Sequence, residues 1–182
     1  VPPDLAAKYP DAVIWAEGYS QVESPGLNRF ALTAAPTLIV YTIPPGPREL
    51  HLACEQVNPQ RVIVIGCVPP YTTLEAFVNG LGGLCLMAMH DPKREGVLSI
   101  GEVAARLAHR ESAVRRGLEW LAAKGQIALT WLDDEHVRIT RDSTPTPGEM
   151  EPLNDALSAI LAETEAYRAY FQRSSLETMF DF

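Results

Sequence analysis

The stretch TLIVYTIPPGPRELHLACEQVNPQRVIVIG, residues 37–66, decides how the first part of the chain folds. Thr37 to Ile43 is a continuous β-branched and aromatic run with no polar alternation, stopped by Pro44-Pro45. Gly46 stands where a helix N-cap belongs. Pro47 follows at the first helical position, where its missing N–H costs nothing. Leu50, Cys54 and Val57 then recur at helical spacing, and Asn58-Pro59 ends the helix, because the residue before proline avoids the α region. Arg61 to Gly66 is a second apolar run. Strands that do not alternate are buried on both faces, as in parallel sheets. Working back, Ala12 to Ala16 is a further β-prone run, followed by a turn-rich stretch up to Pro25-Gly26. Residues 1–70 therefore read as a small Rossmann-like α/β domain with a parallel sheet.

Downstream the pattern changes. Thr72-x-x-Glu75 reads as a capping box opening a long apolar helix to about Met89. Gly80, Gly82 and Gly83 inside it weaken it by roughly 1 kcal/mol each relative to Ala, and are expected where another backbone packs close. Ser99-x-x-Glu102 is a second capping box, opening a helix through Leu107. A third helix runs from about Arg110 to Lys124, with Val114, Leu118 and Leu121 facing inward and Gly125 at C′. Two β runs, Gln126–Trp131 and His136–Thr140, are joined by Asp133-Asp134-Glu135. Three helices closed by a hairpin is the winged-helix pattern, placed at residues 71–142. Residues 143–182 read as a linker and a C-terminal helix. The linker spans Asp142 to Gly148, and the helix starts near Pro152. It carries Leu153, Leu157, Ile160, Leu161, Thr164, Tyr167 and Phe171 on one stripe.

Composition bounds the function. The 182 residues are 47% hydrophobic and 21% charged, an ordinary globular balance. No apolar run approaches a membrane span, and no basic segment precedes an apolar one as in a secretory leader. Three cysteines (Cys54, Cys67 and Cys85) without C-x-x-C spacing argue against a disulfide scaffold and for the cytoplasm. The chain begins at Val1, which fits processing or excision from a longer protein. Net charge is −8, distributed as −4 over residues 1–92, +1 over 93–142 and −5 over 143–182. An acidic chain repels phosphate unless its basic groups share one face. Only the middle segment, with 9 basic against 8 acidic groups, has enough of them to do so.

Catalytic signatures are absent: there is no G-x-S-x-G, H-E-x-x-H or G-x-x-x-x-G-K-[ST]. His51 and Cys54, three apart on a helix, offer two metal ligands, with Cys67 or His90 needed to complete a set. An ordinary half-buried helix is the preferred reading. Gly80-x-Gly-Gly83 follows no strand, so close packing is preferred over a phosphate loop. Pro44-Pro45-Gly46-Pro47 sits where α/β folds place ligands, yet three of its four residues have no N–H to offer an anion. Glu17 and Arg29 read either as polar site groups or as a tether for the loop between them, the tether being preferred.

In the winged-helix segment, Arg110, Arg115 and Arg116 on the third helix, with Lys93 and Arg94 ahead of the second, are the dense basic cluster and the candidate nucleic-acid contact. The wing tip Asp133, Asp134 and Glu135 opposes that role, since three acids repel a phosphate backbone. The tip is a candidate protein contact instead.

Asn28-Arg29-x-x-Leu32, followed by Thr37 to Pro45, Glu49-Leu50 and Asn58-Pro59-x-Arg-Val-Ile-Val-Ile65, resembles the C-terminal region of the RecJ family of single-stranded-DNA-specific exonucleases. Glu163-Thr-Glu-Ala-Tyr-Arg-Ala-Tyr-Phe171 is similar to the closing helix of some members. These stretches cover about a third of the chain. The resemblance implies a non-catalytic accessory module of a hydrolase in DNA repair and recombination. The D-H-H triplet and its divalent metal pair would then belong to an upstream catalytic domain, because the nearest string here is His90-Asp91. It implies no catalytic residue and no cofactor in this chain. As partners it implies the upstream domain and single-stranded-DNA-binding protein. The alternative from the residues alone is a transcriptional regulator, its winged helix reading duplex DNA and its α/β half sensing a ligand.

Overall fold

The computed structural model describes residues 3–19, 26–141 and 143–180. The turn-rich stretch before Pro25-Gly26 and the first linker residue, Asp142, lie outside the described residues. The chain forms two compact units, residues 1–70 with 164–182, and residues 71–163. The protein is mixed α/β.

In the first unit, after a short helix α1 (Pro3–Lys8) that carries no strong sequence signal, come β1 (Ala12–Trp15), β2 (Thr37–Thr42), α2 (Pro47–Val57) and β3 (Arg61–Cys67). The strands form a parallel sheet in the order β1-β2-β3, with Ala12 opposite Thr37 and Thr37 opposite Arg61. Leu38, Ile39 and Val40 are wholly buried, as an unalternating central strand requires. α2 starts as its sequence predicts, on Gly46 with Pro47 in the first turn. It ends at Asn58, which still donates its N–H to the Cys54 carbonyl and then turns left-handed, at a φ of 48°. Leu50, Ala53, Cys54 and Val57 pack on Val13, Trp15, Leu38 and Val40, each large side chain contributing about 1.5–3 kcal/mol of burial. Burial pushes the Cys54 thiol up to about 11. Phe171 and Met179 complete this core, supplied by the later part of α6 (Met150–Arg173) and by α7 (Leu176–Met179).

The second unit runs α3 (Leu74–His90), β4 (Val97–Ser99), α4 (Ile100–Leu107), α5 (Glu111–Ala123), β5 (Ala128–Trp131) and β6 (His136–Thr140). A 3₁₀ turn at Pro147–Glu149 and the first part of α6 follow. The sheet is antiparallel in the order β4-β6-β5, with Ser99 opposite His136 and Trp131 opposite Val137. Phe77, Leu81, Val103, Leu107, Val114, Leu118, Val137 and Ile139 belong to one core with Leu157 and Leu161.

Several local expectations change. The α3 cap is Thr73, accepting from the Ala76 N–H at 3.2 Å, one residue later than Thr72. Ser99 caps α4 as read, accepting from Glu102 N at 3.4 Å. β4 was not anticipated, because three residues become a strand only by pairing with β6. Of the α3 glycines, only Gly80 answers to close packing: a Cβ there would lie 2.7 Å from the Tyr71 ring. A Cβ added at Gly82 or Gly83 would meet nothing within 4 Å among the described residues. His109 is fully buried, its Nε2 2.6 Å from the Tyr71 carbonyl. A carbonyl only accepts, so Nε2 carries the proton.

Where α5 meets α3, a Cβ on Gly117 would lie 2.6 Å from a Leu81 methyl and 2.8 Å from the Phe77 ring. Gly→Ala inside a helix ordinarily stabilises by about 0.5–1 kcal/mol. Gly117→Ala is expected to reverse that sign and cost about 1–3 kcal/mol through overpacking, read from the shift of the urea unfolding midpoint.

Candidate functional site

α5 and the β5–β6 hairpin meet around Arg115. Its guanidinium carbon stands 5.1 Å from the Trp131 ring centroid, a cation–π contact worth about 0.5–1 kcal/mol at an exposed position. The same guanidinium donates to the Asp134 backbone carbonyl. The hairpin is built from within: Asp133 Oδ1 accepts from Glu135 N and His136 N, both at 2.7 Å. His136 Nδ1 lies 3.0 Å from both carboxylate oxygens. The Glu135 N–H is the main cause holding the Asp133 carboxyl below its ordinary range, helped by His136. Asp133 is thus a turn-forming residue, while Asp134 and Glu135 are exposed at the tip. Beside them Trp131 remains 40% exposed and Leu132 45%.

The other basic candidates have acidic neighbours. Arg110 is the α5 N-cap, its Nη1 3.2 Å from Glu163. Arg116 lies 2.6 Å from Glu119, and Arg94 3.5 Å from Asp91. Lys93 donates its backbone N–H, not its ammonium, to Asp91 Oδ1 at 2.9 Å. Arg115 and Arg116 share α5 with the hairpin at one end of the second unit. Trp131 and Leu132 escaped the sequence reading. The available signal was an apolar pair directly ahead of an acidic turn, where a hairpin tip is normally polar.

A cavity of about 530 Å³ lies elsewhere in the second unit, lined by Glu119, Ala122, Ile127, Leu129, Thr146 and Leu153 among others. The linker closes one side of it through the Thr146 N–H to the Ala123 carbonyl at 2.8 Å.

In the first unit, Glu17 follows β1 and is buried. Its Oε1 accepts from Trp15 Nε1 at 3.0 Å, Arg29 N at 2.8 Å and Arg29 Nε at 2.9 Å. Its Oε2 takes Arg29 Nη2 at 2.5 Å. The Glu17 backbone exchanges hydrogen bonds with the Thr42 hydroxyl. Arg168 of α6, 2% exposed, joins this charge group and bonds Glu165 at 2.7 Å. Desolvation pulls the Arg168 pKa down, while Glu165 and Glu17 oppose the shift. Both carboxylate oxygens of Glu17 are thus engaged within the fold, which is the arrangement of a tether. Pro44, Pro45 and Gly46, at the neighbouring strand end, are buried.

His51 pairs with Glu55 at 3.2 Å, while Cys54 faces the core. Among the described residues, no group of three or more His, Cys, Asp or Glu is placed to hold a metal ion. Among them, too, no helix is long and apolar enough to cross a membrane. No protein-family model, no curated protein and no solved structure matches the chain.

Two outcomes follow from these geometries. Glu17→Ala removes the buried carboxylate that Arg29, its side chain 12% exposed, is paired with, and is expected to destabilise the fold by about 3 kcal/mol, measured by urea unfolding. The depressed Asp133 pKa stabilises the hairpin above the ordinary carboxyl value of 3.8. That contribution is lost as pH falls through the lower folded value. The protection of the Glu135 and His136 amides, measured as exchange relative to the intrinsic rate, should therefore fall in acid below 3.8 in the native protein and not in Asp133→Asn.

Proposed function

We propose that the chain is a non-catalytic protein-docking module, of the kind that accompanies a single-stranded-DNA exonuclease, with its partner seated on the α5–hairpin surface. The observation that carries this reading is the exposed Trp131–Leu132 pair beside an acidic tip, with the neighbouring arginines engaged inside the molecule. Tryptophan and arginine are among the residues most enriched at interface hot spots. Guanidiniums already paired with carboxylates release fewer counterions to DNA.

The order helix–strand–helix–helix–strand–strand, with β6 between β4 and β5, supports reading the second unit as a winged helix. The parallel β1-β2-β3 sheet supports a Rossmann-like first unit. The RecJ-like turn-and-strand pattern supports an accessory role beside an upstream catalytic domain, in DNA repair or recombination. The residues of this chain do not fit that enzyme's divalent metal pair, since they lack the D-H-H triplet. No step of the reaction is assigned to them. A cytoplasmic setting accords with the three unpaired thiols.

The test uses purified single-stranded-DNA-binding protein and the upstream catalytic domain as probes, titrated calorimetrically against this chain. Trp131→Ala with Leu132→Ser is expected to weaken binding at least about tenfold. The chain alone should leave labelled single-stranded DNA intact in magnesium or manganese. Arg115→Ala with Arg116→Ala should change the salt slope of any DNA binding by less than about 2, the value for two lost phosphate contacts. An unchanged affinity in the Trp131/Leu132 variant overturns the docking surface. Salt-dependent, selective binding of one duplex site that needs both arginines would instead establish the transcriptional regulator.

A further inference from the structure

α3 buries one face, through Phe77, Leu81, Cys85 and Ala88. Away from that face Leu86 is 48% exposed and Met87 60%, two large apolar side chains on adjacent positions of a well-formed helix. One turn earlier stand Gly82 and Gly83. Glycine is unfavourable inside a helix, and at Gly80 a tight neighbour accounts for it. At Gly82 and Gly83 the described residues supply no such neighbour, since an added Cβ would meet nothing within 4 Å among them. At 3.6 residues per turn, Glu75, Asn79, Gly82, Gly83, Leu86 and His90 fall on one arc of about 100°.

We propose that this face of α3 binds a second copy of the chain, the two helices crossing antiparallel on a two-fold axis between Gly82 and Gly83. The paired glycines let the two backbones approach closely where ordinary side chains would hold them apart. The axis sets Asn79 against Leu86 of the partner subunit, so each exposed apolar group covers the other helix. It also sets Glu75 against His90 of the partner subunit. That histidine is not alone: its Nε2 lies 2.8 Å from Arg141 Nη2, so a guanidinium stands at the same end of the helix. The acidic end of each helix therefore meets the basic end of the other, twice per dimer. Such a self-complementary patch is what an isologous two-fold interface requires. Antiparallel helices also set the positive N-terminal end of each dipole beside the negative C-terminal end of the other.

Sedimentation equilibrium of the full chain, from micromolar to submillimolar concentration, tests this. The expected result is a monomer–dimer equilibrium. Gly83→Leu adds a side chain into open space in the monomer and into the crossing point in the dimer. It should weaken association at least about tenfold while leaving the circular dichroism spectrum unchanged. Glu75→Arg should also weaken association, and Glu75→Arg combined with Arg141→Glu should restore it, which a merely misfolded variant would not do. A wild-type chain that stays monomeric throughout overturns the proposal and leaves the face to a helix of another protein. A dimer indifferent to both Gly83→Leu and Glu75→Arg overturns it as well, by placing the interface elsewhere.

Discussion

The separation of α3 and α5 is set at Gly117, where a methyl group would fall inside the van der Waals envelope of both Leu81 and Phe77. Everything on the far side of α5 inherits that constraint. With the Gly117 face pressed on α3, Arg115 and Arg116 remain half-exposed on the same helix. The chain leaves α5 through Gly125, whose φ of 76° only glycine adopts without strain, and turns into β5. The pairing of Trp131 with Val137 then fixes which face of the hairpin each side chain takes. Val137 falls in the core, but Trp131 lies beyond the core's edge and covers Arg115 instead.

The two units treat charge in opposite ways. The first buries Glu17 and Arg168 and covers most of the Arg29 guanidinium against Glu17, and such charges persist only when they are paired. Both carboxylate oxygens of Glu17 are thereby engaged within the fold. The second keeps its charges at the surface, where each pair contributes about 0–1 kcal/mol. Those pairs matter less for stability than for what they leave on offer. With the arginines of α5 held by Glu163, Glu119 and the Asp134 carbonyl, the unit presents an aromatic ring and an acidic tip. That surface suits a protein better than a polyanion.

Neither surface discussed for the second unit depends on the other. The hairpin end is built by α5 and the β5–β6 register, whereas the glycine face belongs to α3. A module that dimerises through one and receives a partner on the other would present two docking sites per assembly, which raises the effective concentration of each partner for its neighbour.

How much of this the residues declare by themselves depends on the range of the forces involved. The parallel layer was legible because unalternating strands and the Gly46-Pro47 helix start are local patterns, each a response of one segment to burial or to backbone sterics. The bounds of α2, the Ser99 cap and both hairpin strands were legible for the same reason. The Thr72 reading failed by one residue because two adjacent threonines offer the same hydroxyl, and helix phase against the core chooses between them. β4 was invisible because Val97–Ser99 has no strand character until β6 lies beside it. Gly80, Gly82 and Gly83 look alike in sequence, and only their neighbours separate a packed glycine from an open one. The Trp131–Arg115 contact and the burial of Arg168 bring together residues far apart along the chain. Local propensity thus determined most of the segments that became helix or strand, β4 apart, while tertiary packing decided which charges were paired internally and which apolar groups were left exposed, because desolvation and pairing depend on what each side chain meets in space.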